Sequence, residues 1–240
     1  MNKLSSALLA TTACCLLSSG IVAAKGIKIP NEVAHWSADG TAVSSSGVDP
    51  ILLVGATYTD GVQGKAFHFD GSSQFAHIPF SSDFDIKPEG ALSLSAWVRP
   101  EKVGSYQAIV IKVHEPGIWE WGIIIDPRNH FYAGHNAFDV AQSQTTIQPN
   151  HWYFVALTYD NGTYKVYVNG KLESQATGSQ ILTSDGGLSI GRKGENPRPG
   201  DDPDWFAGSI DEIRFFNRAL TDDEVMKLYH AVPKADNLTK

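Results

Sequence analysis

The clearest patterning in the chain lies between His151 and Glu173, where two runs rich in Val, Tyr, Phe and Thr flank Asp160-Asn161-Gly162. In the second run Tyr164, Val166 and Val168 fall on one face and Lys165 and Tyr167 on the other, the period of two of a β-strand. The first run, Trp152 to Tyr159, is apolar on both faces, as a strand in the middle of a sheet is. Asn-Gly supplies the positive φ angles of tight hairpin turns, and a second pair, Asn169-Gly170, turns the chain again before Lys171. The pattern predicts the central hairpin of an antiparallel β protein.

The same pattern recurs in shorter pieces. Val33 to Trp36 reads as an edge strand ended by Ala38-Asp39-Gly40, inside a stretch from Lys25 to Gly64 that is otherwise irregular. Lys65 to Asp70 and Phe75 to Pro79 read as a hairpin across Gly71-Ser72-Ser73. From Leu92 to Arg99 the alternation is strict, with Leu92, Leu94, Ala96 and Val98 on one face and Ser93, Ser95, Trp97 and Arg99 on the other. Further strands are expected at 108–114, 119–126, 131–135, 188–191 and 206–216. One helix is expected: Thr221-Asp222-Asp223-Glu224 is a capping box, Val225, Leu228 and Tyr229 follow at helical spacing, and Pro233 ends it. Many short strands separated by turn signals predict an all-β, two-sheet antiparallel jelly-roll sandwich with one short C-terminal helix.

Composition narrows the setting. Residues 1–24 read as a secretory signal peptide, with Lys3 at the start, an apolar run from Leu4 to Leu17 and Val22-Ala23-Ala24 as a cleavage site. Cys14 lacks the leucine expected before a lipidated cysteine. Both cysteines lie in that segment, so the mature protein is expected to be secreted and free of disulfides, cysteine nucleophiles and thiolate metal sites. Residues 25–232 are expected to form one domain and 233–240 a frayed tail. A formal charge of −7 with no basic run argues against nucleic acid as a partner, and no membrane insertion is expected.

The order of the motifs resembles the laminin-G-like group of the concanavalin A-like lectin/glucanase jelly rolls. The matching stretches are Gly61-Val62-Gln63-Gly64-Lys65-Ala66-Phe67-His68-Phe69-Asp70-Gly71, Leu94-Ser95-Ala96-Trp97-Val98-Arg99-Pro100, and His151 to Ala156 with Val166 to Lys171. Phe206-Ala207-Gly208-Ser209-Ile210-Asp211-Glu212-Ile213-Arg214 with Asn217 to Leu220 completes the set. The resemblance spans residues 33–231 and implies the fold without settling the function.

Relatives with this sandwich include laminarinase-type glycosidases, whose two carboxyl groups share one strand face about 5–5.5 Å apart in retaining enzymes. The nearest text, Glu120 to Asp126, places its two acids six positions and roughly 20 Å apart along a strand. No Gly-x-Ser-x-Gly elbow or Gly-rich phosphate loop is present, so a non-catalytic recognition module is the expected function. The expected partner is a glycan, or alternatively an extracellular protein. Trp119, Trp121 and Trp205 adjoin loops and are candidates for the aromatic platform, with Asp202 and Asp204 beside Trp205; lining the core with Ile123 and Ile125 is the favoured reading for Trp119 and Trp121, and Trp205 could equally be folded back as a plug. The acids Asp201, Asp202 and Asp204 also read as a second cation site or a solvated loop.

By parity Asp211 shares a face with Ile213 and Phe215, where a carboxylate needs hydrogen bonds, an ion pair or a cation. The resemblance implies a structural calcium near this closing strand, with Asp211 as a ligand and Asp39 and Asp70 as possible contributors; the alternative is that Asp211 accepts backbone N–H bonds. His68 and His77 would face each other across the early hairpin without a third ligand, too few for zinc. Asn161-Gly162-Thr163 and Asn237-Leu238-Thr239 fit the N-glycosylation pattern.

Overall fold

In a computed structural model, residues 27–48, 50–115, 118–135, 139–194 and 203–232 are described. The expected signal peptide, the C-terminal tail and Asp202 lie outside the described residues. Within them the chain runs β1 (Glu32–Trp36), β2 (Leu52–Val54), β3 (Thr57–Asp60), β4 (Lys65–Asp70), β5 (Phe75–Ile78) and, after a 3₁₀ turn at Ser82–Phe84, β6 (Ala91–Pro100). Then come β7 (Gln107–Glu115), β8 (Ile118–Ile125), β9 (Phe131–His135) and β10 (Asp139–Gln142). The last elements are β11 (Tyr153–Asp160), β12 (Thr163–Val168), β13 (Lys171–Thr177), β14 (Leu188–Ile190), β15 (Ala207–Phe216) and helix α1 (Asp222–Ala231).

These strands make two antiparallel sheets. The first follows the order β13-β12-β11-β6-β15-β4-β3, with β1 also paired to β15; the second follows β10-β9-β8-β7-β14-β5-β2. The central hairpin and the strict alternation of β6 appear as expected. Leu92, Leu94, Ala96 and Val98 join Tyr164, Val166 and Val168 in the core between the sheets, while Trp97 and Tyr167 face outwards.

Outward residues of the first sheet are sealed by α1. Val225 and Leu228 pack with Trp97, Phe154, Ala156 and Tyr167, and Tyr229 stacks on Trp97 with ring centroids 5.6 Å apart. The helix starts as expected: Thr221 Oγ1 accepts the Glu224 N–H while the Glu224 carboxylate accepts the Thr221 N–H. None of the described helices is long and apolar enough to cross a membrane.

One expected pairing is not formed. β4 belongs to the first sheet and β5 to the second, so Lys65 to Pro79 is a corner between layers rather than a hairpin. Asp70 makes the corner: its carboxylate accepts N–H bonds from Ser72, Ser73 and Gln74 and the Ser73 hydroxyl bond. His68 and His77 therefore lie in different sheets and do not face each other.

Candidate functional site

The side of the second sheet away from the core carries most of the candidate ligand residues. Along β8 the register against β7 slips at Glu120, with Lys112 opposite Trp121 but Val113 opposite Trp119. That bulge breaks the alternation and sends the two tryptophans to opposite sides. Trp121 points inwards and stacks on Phe215; Trp119 points outwards and packs with Ala108, Ile111 and Ile124. Both rings are buried, at 0% and 3% exposure, so neither offers an open platform. This corrects the expectation for Trp119 and Trp121 as ligand residues: apolar burial claims both rings.

Trp205 is half-buried on the outer side, opposite in direction to the core residue Phe206 that follows it. Its ring lies 6.2 Å from that of Phe75, and the Arg192 guanidinium sits 3.6 Å from the Phe75 centroid and 5.4 Å from that of Trp205. Cation–π attraction of this kind holds an aromatic side chain in one orientation. Asp204 forms an ion pair with Lys193 at 3.6 Å, and its carbonyl accepts the Ala108 N–H. On the same side, edge strand β2 leaves Leu52 and Val54 exposed, paired with His77 and Phe75. Phase alone could have found Phe75, since Ile78 belongs to the core and period two puts Phe75 and His77 opposite it; Arg192 carries no such signal.

The expected metal ligands sit on the opposite side of the sandwich. Glu212 has a positive φ of 49° and the β15 register against β6 shifts between Asp211 and Arg214. This bulge turns Asp211 to the outer side with Trp97, while Ile213 and Phe215 point inwards. The Asp211 carboxylate is fully buried and accepts N–H bonds from Val62 (2.9 Å), Gln63 (3.3 Å) and Glu212 (2.8 Å). Burial, then the adjacent Glu212 charge, push its pKa up to about 8 against those bonds. No cationic side chain among the described residues pairs with it.

Glu212 is compensated. Burial would raise its carboxyl, but hydrogen bonds and charge from His35 (2.8 Å) and Arg214 (2.9 Å) hold it below the usual range. Asp39 accepts the Lys65 N–H across the turn whose N–H groups reach Asp211. A pocket of about 200 Å³ opens there, lined by His35, Ser37, Asp39, Gln63, Glu212 and Arg214 among others. Asp70 is not part of this group. It is opposite Ala207, four positions and about 13 Å from Asp211 along β15, with its oxygens occupied by the corner. Among the described residues no set of three His, Cys, Asp or Glu side chains is placed to hold a metal.

Glu120 and Asp126 are buried and do not converge on a cleft. Glu120 pairs with Lys112 at 3.4 Å, and its carboxyl is raised by burial.

A family model described as the concanavalin A-like lectin/glucanases superfamily matches residues 70–226. No curated protein sequence matches the chain. Among solved structures, domain 4 of AbnA, a GH43 extracellular arabinanase from Geobacillus stearothermophilus in complex with arabinotriose, is 25% identical. It superposes with a TM-score of 0.69 over 83% of this chain and 98% of that one. Trypanosoma rangeli sialidase in complex with sialic acid is 15% identical, with a TM-score of 0.66 over 84% of this chain and 33% of the sialidase. The binding domain of botulinum neurotoxin DC in complex with SialylT is 16% identical, with a TM-score of 0.64 over 86% of this chain and 52% of that one. The last two are likenesses of fold.

Proposed function

We propose, starting from the fact that this chain belongs to the concanavalin A-like lectin/glucanase superfamily, that it is a secreted, non-catalytic module binding carbohydrate on the outer side of its second sheet. The observation that carries this reading is Trp205, a half-buried ring held against Phe75 and Arg192 on the side opposite α1. Aromatic faces beside fixed polar groups suit the apolar face and hydroxyl edge of a sugar ring. The arabinotriose complex of the arabinanase domain, which this chain matches over nearly its full length, supports the same class of ligand. The burial of Glu120 and Asp126 supports a non-catalytic role, since a glycosidase needs both carboxyls at the scissile bond.

A structural calcium on the other side is part of this proposal. Asp211 and Asp39 would contribute to its shell, and the ion would supply the positive charge that the buried Asp211 carboxyl lacks; backbone carbonyls would have to complete six to eight oxygens. A second reading, binding of an extracellular protein, is favoured by exposed Leu52 and Val54 beside Phe75. A glycan array read with calcium and with EDTA tests the choice. Sugar binding weakened by Trp205→Ala is the expected result, and binding to no sugar at either calcium level would reject the carbohydrate reading.

A further inference from the structure

On the same side as Trp205 and two strands across from its neighbour Ala108, the Asp126, Arg128, Tyr132 and Gln142 side chains form a cluster that the reading above does not use. Asp126 is buried with both oxygens engaged. Oδ1 accepts the N–H groups of Arg128 (3.0 Å) and His130 (2.8 Å), and Oδ2 accepts from Arg128 Nε (3.0 Å) and Gln142 Nε2 (3.1 Å). Arg128 Nη2 donates onward to the Tyr132 hydroxyl (2.8 Å) and Gln142 Oε1 (3.1 Å). The Arg128 side chain is nonetheless 66% exposed, and its Nη1 is used by no bond among the described residues.

A surface ion pair contributes little to stability, and Asp126 is already satisfied by two backbone N–H groups and Gln142. What the network adds is a guanidinium fixed in direction, as a preorganised recognition group is. It presents the Nη1 donors, the Tyr132 hydroxyl proton and unused lone pairs on Tyr132 and Gln142 beside a half-buried phenol ring. Donors and acceptors set side by side next to a ring match neighbouring hydroxyls on a sugar.

Charge selects among sugars. Asp126 lies directly behind Arg128 and neutralises it, and the whole chain carries −7. A carboxylated sugar would lose its hydration there for little return. The cluster also lines up with Trp205: Tyr132 pairs with Ile124, Ile124 with Ala108, and the Ala108 N–H donates to the carbonyl of Asp204. Ala108 and Tyr132 are two strands apart, about 10 Å at the usual strand spacing, within the span of a short oligosaccharide.

We propose that Arg128, Tyr132 and Gln142 form a second subsite that reads the hydroxyls of an uncharged sugar residue, on the same outer side of the second sheet as Trp205. The proposal rests on the carbohydrate reading and deepens it. Calorimetric titration of the full chain with arabinotriose, xylotriose, cellotriose and trigalacturonate tests it, on wild type, Arg128→Lys, Tyr132→Phe and Trp205→Ala.

A neutral trisaccharide should bind wild type better than trigalacturonate. Arg128→Lys, which keeps the charge and loses the planar fork, should weaken it about tenfold, and Tyr132→Phe about threefold. The melting temperature should stay within a degree or so of wild type for Tyr132→Phe, which removes only the hydroxyl. If Trp205→Ala weakens binding while Arg128→Lys and Tyr132→Phe do not, the carbohydrate reading stands and this subsite falls. Tighter binding of trigalacturonate overturns the uncharged assignment. If wild type binds no trisaccharide, the carbohydrate reading fails and takes the subsite with it.

Discussion

Trp121 lies over Phe215 with ring centroids 5.4 Å apart and planes 16° from parallel, so the two sheets meet through a stacked pair. Both rings are fully buried, and Trp121 comes from the second sheet while Phe215 comes from the first. Offset stacking adds to the area each ring removes from water. Trp121→Ala should therefore lower unfolding stability by about 3–5 kcal/mol, read as a fall in the urea midpoint with an unchanged slope. A loss below about 1 kcal/mol would mean the interior collapses freely around the missing ring.

Trp205 should behave in the opposite way. Half-buried on the outer side, it contacts Phe75 and Arg192 and bridges no layers. Trp205→Ala is expected to cost about 1 kcal/mol or less of stability and to weaken sugar binding about tenfold or more. Melting curves and titrations on the same preparation separate the two effects.

Asp211 sets a pH signature. Its folded pKa is raised from 3.8 to about 8 by burial and by Glu212, so the native state holds this proton more tightly than the unfolded chain. That contribution is whole below about pH 4 and is lost as pH rises towards about 8. In EDTA the urea midpoint should fall across this window, and Asp211→Asn should flatten the fall. Calcium favours the carboxylate, so saturating calcium should remove the fall in wild type and leave Asp211→Asn unmoved. A wild-type profile with the same slope in EDTA and in calcium would reject the site.

The helix cap offers a smaller, independent check. Thr221 Oγ1 accepts the Glu224 N–H, and Arg218 holds the Glu224 carboxyl well below its usual range. Thr221→Ala should cost about 1 kcal/mol, seen in thermal unfolding. Because the Glu224 pKa is depressed, the benefit of its ion pair with Arg218 is present above the ordinary carboxyl range and fades as the solution is acidified through it.

The sandwich, its central hairpin and the capped helix were legible because period-two alternation and capping chemistry are local signals. The errors have a common physical source in strand irregularity. Parity counting placed Asp211 with Ile213 and Trp119 with Trp121, and in each case one extra residue in a bulge, near Glu212 and at Glu120, reversed the phase. Neither bulge is announced by glycine, since Glu212 takes the left-handed φ itself and is held by His35 and Arg214. The corner at Asp70 was misread because Gly71-Ser72-Ser73 serves a change of sheet as well as a hairpin. β2, β3, β10 and β13 escaped because they are short or polar edge elements with weak alternation. Arg128 carries no local signal, because its partners lie up to fourteen residues away and are gathered only by the fold.

Ile29 and Val232 both pack in the layer beneath α1, so the described chain enters and leaves on the side turned from Trp205. A fusion partner or solid support coupled through either of these points would leave the proposed sugar surface facing the medium. Copies tethered that way can engage a polymeric ligand together, and a weak single contact then becomes firm attachment through effective concentration alone.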